Sequence, residues 1–269
     1  MTGKIIDFYS KYDEDKRLDR HMIEKLRSQA IISRFLYKPD MKILDVGGAT
    51  GVYSFWLASL GHKIDLIDMV PAHIDQCKKK EKETGISLNS INIGDACDIS
   101  FDENTYDMVL LMGPLYHLVN REDRIKALKE SYRVIKTDGI LIVSAISRYA
   151  ALFDGYRLDH VSDPAYRKIL EGSIDNGIYS NDSGNDAYFT DAYFHLPDEL
   201  RSEIVESGFE FDTLLAVEGF GNLFNDMEER LRTRDVSYLK MTLNHIKMAE
   251  SDPSIIGVSN HLMAVGKKI

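Results

Sequence analysis

Between residues 42 and 146, short apolar runs alternate with amphipathic stretches, and no other feature of the 269-residue chain constrains its fold as tightly. Residues 43–46, 64–67, 88–93, 107–112 and 140–146 have strand length and few polar interruptions, as inner parallel strands covered on both faces require. The segments between them carry helix punctuation. Residues 52–60 close at Gly61, and Pro71 suits the first turn of a helix that runs to Gly85. Asn120 can cap a helix on which Ile125, Leu128, Tyr132 and Ile135 recur on one side, and a Thr137-Asp138-Gly139 turn then feeds the next strand. Successive β-α-β units with right-handed crossovers predict an open parallel sheet.

Outside this stretch the pattern changes. Residues 20–37 have helical spacing and stop before Pro39, so residues 1–40 read as an N-terminal helical cap. Residues 148–195 are rich in Asp, Asn, Ser, Gly and Tyr and too long for an ordinary connection, which predicts a lid. Residues 196–207 form a helix ending at Gly208, residues 209–217 and 261–265 form two closing strands, and a single long helix over 225–250 lies between them. The expected architecture is α/β: a doubly wound, seven-stranded, mostly parallel sheet with helices on both faces, plus helical or irregular lid insertions. Its parts are a cap at 1–40, a core at 41–147, a lid at 148–195 and a C-terminal completion at 196–269.

A formal net charge of −10 opposes a phosphate backbone, so nucleic acid is not an expected partner. No stretch approaches the roughly 18 consecutive apolar residues of a membrane span, and the first residues lack an apolar leader. Two cysteines, Cys77 and Cys97, are too few for a disulfide framework and too far apart for a metal-ligand pattern. A soluble cytoplasmic protein without a metal is expected, its oligomeric state left open.

The chemistry concentrates at Asp45-Val46-Gly47-Gly48-Ala49-Thr50-Gly51, a glycine-rich turn between the first strand and its helix. Glycines let backbone approach a ligand, and the following helix presents N–H groups to anionic oxygens. Asp68 ends the next strand about twenty residues on, where a carboxylate can accept both hydroxyls of a ribose. Together they indicate an adenosine-containing cofactor. A dinucleotide fingerprint wants G-x-G-x-x-G, whereas the matching positions are Gly47, Ala49 and Val52.

The segment instead resembles motif I of class I, Rossmann-like methyltransferases, Asp/Glu-x-Gly-x-Gly-x-Gly, through Asp45, Gly47 and Gly51, with Ala49 the departure. The resemblance covers residues 40–148 and implies S-adenosylmethionine as cofactor. It extends to Gly94-Asp95-Ala96, where it implies that Asp95 accepts the adenine amino group and that the backbone of Ala96 reaches the ring. It assigns Gly48, Met69, Met112 and Gly113 to the same site, and suggests Arg27 and Tyr12 for the methionine end. Gly113-Pro114-Leu115-Tyr116-His117 resembles the loop that faces the transferred methyl, but lacks the Asn/Asp-Pro-Pro-Tyr of base-amine methylating enzymes.

These residues imply transfer to a small-molecule oxygen or nitrogen near Tyr116 and His117, with Arg148, Tyr149 and Tyr193 of the lid contributing to the substrate site. His117 is the first candidate general base and His195 the second. An RNA or protein methyltransferase, a non-catalytic cofactor binder and an NAD-dependent oxidoreductase remain open on sequence alone.

Overall fold

The computed structural model describes residues 2–10 and 14–269. Three helices come first: α1 (Thr2–Ser10), α2 (Glu14–Arg20) and α3 (Met22–Ser33). α3 ends four residues short of the span read from the sequence, with the backbone N–H of Arg34 donating to Ile31 O and that of Phe35 to Ile32 O. It buries Ile31 and Ile32 completely against the sheet.

The core then alternates as expected: β1 (Lys42–Val46), α4 (Val52–Ser59), β2 (Lys63–Asp68), α5 (Pro71–Thr84), β3 (Ser90–Ile93), β4 (Tyr106–Leu111), the short α6 (Pro114–His117), α7 (Arg121–Val134) and β5 (Ile135–Ser147). Pro71 opens α5, and Gly85, at φ +68°, closes it in the left-handed conformation that glycine adopts without strain. Asn120 stands at the N-cap of α7, but its side chain meets Asp123 rather than a backbone N–H. The 137–139 turn is instead a bulge inside β5. Tyr106 pairs with Ile135 and Met108 with Ile140, so the residues between are extruded, with Asp138 at φ +64°.

The segment read as a lid is a folded unit: α8 (Ala150–Arg157), α9 (Pro164–Asn176), β6 (Ile178–Tyr179) and β7 (Ala192–His195) surround their own core of Tyr166, Ile169, Leu170, Tyr179 and Phe194. Asp163 caps α9 by accepting from Ala165 N at 2.8 Å, with Pro164 in the first turn. The chain finishes with α10 (Pro197–Glu206), β8 (Glu210–Ala216), α11 (Met227–Thr233), α12 (Val236–Ala249), α13 (Pro253–Ile256) and β9 (His261–Lys267). The single helix expected at 225–250 is two, because the Asp235 carboxylate accepts from Tyr238 N and starts a new helix there.

The seven main strands lie in the order β3-β2-β1-β4-β5-β9-β8, parallel from β3 to β5, with β9 antiparallel to both neighbours. The β6–β7 ribbon joins the tip of β5 at Ile146 and Ser147, beyond the end of β4. Alternate residues feed two cores. Leu44, Val109, Leu141 and Val143 pack on one face, and Ile43, Met108, Leu110 and Ile142 on the other. β4 is buried along its whole length.

Candidate active site

Strand order reverses between β1 and β4, the position in open α/β sheets where a crevice forms beyond the strand ends. A cavity of about 250 Å³ lies there, lined by residues just past the ends of β1, β2, β3 and β4. The glycine-rich loop forms one wall. A Cβ added at Gly47 would come within 2.5 Å of the Pro114 ring, and one at Gly48 within 2.8 Å of the Asp45 carboxylate, so bare backbone is needed at both. Ala49 adopts φ +46° despite its side chain. The amides of Gly47 and Gly48 donate to Ile67 O, and that of Gly51 to Gly48 O, which fixes the loop. The orphan amides expected of a helix N-terminus therefore belong to the first turn of α4.

Asp68 joins this loop to the second strand. Its Oδ2 accepts from Ala49 N at 2.9 Å, while Oδ1 accepts from Val70 N at 2.8 Å and lies 3.1 Å from His73 Nδ1. Three of the roughly four acceptor positions of a carboxylate are thus engaged. His73 is 2% exposed and lines the cavity, and its buried Nε2 has no partner among the described residues. Asp45 lies beneath, accepting from Ser54 Oγ at 2.6 Å. Burial, with a smaller contribution from the Asp68 charge, pushes its carboxyl up to about 6 against that hydrogen bond. Bare glycine backbone, an adjacent carboxylate and an unsatisfied buried imidazole nitrogen fit a polar adenosine ligand with an amino acid tail.

A second cavity of about 520 Å³ opens beside the first, and Tyr9, Arg17 and Tyr116 line both. Tyr9, on α1, packs near Val70, Met69 and Ala72, and its hydroxyl lies 2.8 Å from His117 Nε2. Burial lowers the His117 imidazole to about 4, although the backbone of Asp191 and the charge of Asp68 pull the other way. The ring is therefore neutral near pH 7. Aromatic rings from α1, the loop after β4 and the lid crowd the second cavity: Phe8 and Phe189 meet edge to face at 5.7 Å, and Tyr179 stacks on Phe194 at 5.2 Å.

Elsewhere this cavity is charged, and several of its described charges are paired. Arg17 clasps Glu24 through two hydrogen bonds of 2.7 and 2.9 Å, and His261 Nδ1 lies 2.5 Å from Glu218 Oε1. Burial resists charging of His261, yet the Glu24 and Glu218 carboxylates outweigh it and raise the ring to about 9. Burial likewise opposes the Glu24 charge, and Arg17 and His261 together hold it at about 2. Glu24, Glu218 and His261 bring metal-ligand atoms within 4.8 Å of one another, but the two cations already neutralise the two carboxylates.

Of the residues singled out in the sequence, the first cavity gathers Asp45, Gly47, Gly48, Ala49, Asp68, Met69, Asp95, Ala96, Met112, Gly113, Tyr116 and His117. Gly51 stands behind the loop, where a Cβ would face Phe55 and Cys77. Arg27 is placed elsewhere: it is 2% exposed and bonded to Glu250 and Val217 O, because a guanidinium buried on α3 needs a counter-charge. Tyr12 lies outside the described residues. Four lid residues also miss both cavities. His195, fully buried, lies 3.2 Å from Glu203 Oε2; Arg148 binds Glu199 and Phe194 O; Tyr193 stacks under Arg124 at 3.6 Å; and Tyr149 faces solvent, 38% exposed. Sequence reading missed Tyr9, Arg17, Thr50 and His73. His73, five residues after Asp68 and in the first turn of α5, carried a signal in its nearness to that strand end; the others carried none.

Residues 43–139 match the family described as a methyltransferase domain. A 2-methyl-6-phytyl-1,4-hydroquinone methyltransferase of Oryza sativa subsp. japonica is 28% identical over 124 residues, 45% of this chain and 35% of that protein, so the match spans about a third of the rice enzyme's length. The ubiquinone/menaquinone biosynthesis C-methyltransferase UbiE of Vibrio cholerae is 26% identical over 222 residues, covering 78% of this chain and 80% of the relative. Among solved structures, a methyltransferase of Methanosarcina mazei superposes with a TM-score of 0.60 at 18% identity, covering 89% of this chain and 97% of its own. One of Thermotoga maritima, described as a possible histamine N-methyltransferase, gives 0.59 at 19% identity over the full length of both. Residues 43–139 are thus similar to a methyltransferase domain, and the chain has the fold of the solved S-adenosylmethionine-dependent methyltransferases on which it superposes.

Proposed function

We propose that this chain transfers a methyl group from S-adenosylmethionine to a small-molecule acceptor. One observation carries the reading: the cavity built from the glycine loop and Asp68 adjoins an aromatic-lined cavity, with Tyr9, Arg17 and Tyr116 lining both. Cavities of several hundred Å³ lined by aromatic side chains suit small molecules rather than polymers. The relatives named for methylating quinones and hydroquinones support a small acceptor, and their names extend the acceptor atom from oxygen or nitrogen to carbon.

The cofactor, when bound, supplies an electrophilic methyl on a sulfonium. In this reading Asp68 and His73 hold its ribose, the loop at Gly47 and Gly48 accommodates its amino acid tail, and Asp95 with Ala96 borders its base. The loop from Gly113 to His117 and the Tyr9 ring set the boundary between donor and acceptor. Alignment of the reactants can supply about 7–11 kcal/mol, whereas a general base adds about 10²–10⁴-fold. A ring that protonates only near pH 4 is a weak base. We therefore assign His117 the task of orienting Tyr9, whose hydroxyl faces the reacting region. The aromatic walls exclude water.

The test is S-adenosylhomocysteine production by the purified protein with a panel of phenols, N-heterocycles and amines. Release above the acceptor-free rate with at least one class is expected. Tight S-adenosylmethionine binding without turnover on any acceptor would favour a non-catalytic binder.

A further inference from the structure

The helix that follows β4 at the donor cavity is one turn long, so what holds it in place comes from elsewhere. α6 spans only Pro114–His117, too short to be stable by itself. Pro114 seats its first residue so close to Gly47 that a Cβ there has no room. Arg124, one turn into α7, seats the other end: its Nη1 donates to Leu118 O at 3.0 Å and to Val119 O at 2.7 Å. These are the two residues after His117. The rest of the guanidinium is fixed from the opposite side. Nε donates to both oxygens of Glu203 on α10 at 3.1 Å, and Nη2 to Oε1 at 2.8 Å. The guanidinium carbon lies 3.6 Å from the centre of the Tyr193 ring, and Glu203 Oε2 lies 3.2 Å from His195 Nε2. Tyr193 and His195 belong to β7, which is anchored on the tip of β5. A guanidinium and a carboxylate this deeply buried need full hydrogen bonding, and the planar fork of arginine holds its partners in fixed relative positions. An ion pair serving the scaffold alone would need only Glu203. The two carbonyls tie this one to the loop.

Resting on the methyl-transfer reading, we infer that Arg124 is a positioning residue for the transfer: it clamps the end of α6 and so sets where Tyr116 and His117 stand. Tyr116, His117 and Leu118 line the first cavity, and Tyr116 lines the second as well. His117 carries the placement on to α1 through its 2.8 Å contact with the Tyr9 hydroxyl. Arg124 lines neither of these cavities and acts through those side chains. Small misplacements of reacting groups are costly, which gives a rigid clamp behind this loop its value. Tyr193 and His195, expected from the sequence in the substrate site, support the clamp instead.

Two variants test this. Arg124→Lys keeps a cation for Glu203 but cannot hold the carboxylate and both carbonyls at once. Arg124→Leu/Glu203→Gln removes the two charges together and leaves an acceptor for His195. The readouts are calorimetric titration of S-adenosylhomocysteine and the ring-nitrogen NMR resonances of His117 in the ligand-free protein, assigned with His117→Gln. In both variants the His117 resonances should move and S-adenosylhomocysteine should bind about tenfold more weakly, the scale of one lost hydrogen bond to a charged group. Arg27→Ala, which removes a similarly buried guanidinium outside the site, should change neither readout. A merely structural role for Arg124 would give the same result as Arg27→Ala, a lower melting temperature alone. Unmoved His117 resonances in both Arg124 variants, or unchanged affinity in both, would overturn the proposal. Should the wild type fail to bind S-adenosylhomocysteine, the methyl-donor reading falls, and the His117 resonances still decide whether Arg124 holds the loop.

Discussion

The hydroxyl of Tyr9 lies 2.8 Å from Nε2 of His117, tying the first helix of the chain to the loop after β4 across a separation of 108 residues. Tyr9 also lines both cavities, so the contact fixes the wall between them. His117→Ala should lower kcat by about 10–100-fold, as expected for losing a buried hydrogen bond of roughly 1–3 kcal/mol that acts on alignment. Tyr9→Phe should have a similar effect. The pH profile of the wild type should show no inflection near the ordinary histidine range attributable to His117, because burial holds that ring at about 4. Full activity in both variants would remove the pair from the mechanism.

His261 makes stability fall in alkali. Its folded value of about 9 exceeds the ordinary 6.5, so the folded state binds the proton more tightly than the unfolded chain. The contribution is fully present below about 6.5 and is lost as pH rises through about 9. The melting temperature should therefore decline between pH 7 and 9.5. His261→Gln should flatten that decline; an identical slope in the variant would exclude His261 as its source.

Asp45 acts in the same sense at lower pH. A buried carboxyl raised to about 6 makes ionisation costly in the fold, so its neutral form is favoured below that pH and the penalty is complete above it. A shift of about two units corresponds to roughly 3 kcal/mol at most. Asp45→Asn, which keeps an acceptor for Ser54 Oγ, should stabilise the ligand-free protein at pH 7.5 and lose that advantage as pH falls through 6 to 4. A variant less stable than wild type at pH 7.5 would contradict this, and denaturant titrations at both pH values supply the measurement.

Arg27 belongs to the scaffold. Its guanidinium is buried and shares Glu250 with Arg34, joining α3 to the end of α12. Arg27→Ala leaves a buried carboxylate poorly compensated and should cost about 3–5 kcal/mol of stability. The affinity of the folded fraction for S-adenosylhomocysteine should be unchanged; a tenfold loss would bring Arg27 back to the cofactor.

The sequence displayed the sheet because its inner strands are buried on both faces and read as unbroken apolar runs, as at 107–112. The glycine loop and Asp68 were legible because both are local to strand ends. What escaped was set by tertiary pairing. Thr137-Asp138-Gly139 has turn composition, but strand pairing continues on both sides of it and makes it a bulge. Arg148, Tyr193 and His195 have the residue types of a substrate site, yet Glu199, Arg124 and Glu203 occupy them, and such partners far along the chain leave no spacing signal. Tyr9 and Arg17 reach the site only because α1 and α2 fold back over the strand ends.

The central claim is that the glycine loop and Asp68 hold one adenosine-containing methyl donor. Calorimetric titration of S-adenosylmethionine and of NAD into wild type and Asp68→Ala tests it most directly. The wild type should bind S-adenosylmethionine and not NAD, and the variant should bind it about 100-fold more weakly, the loss of roughly 3 kcal/mol that removing charge-assisted hydrogen bonds brings. Equal affinity in both proteins, or a preference for NAD, would contradict the account.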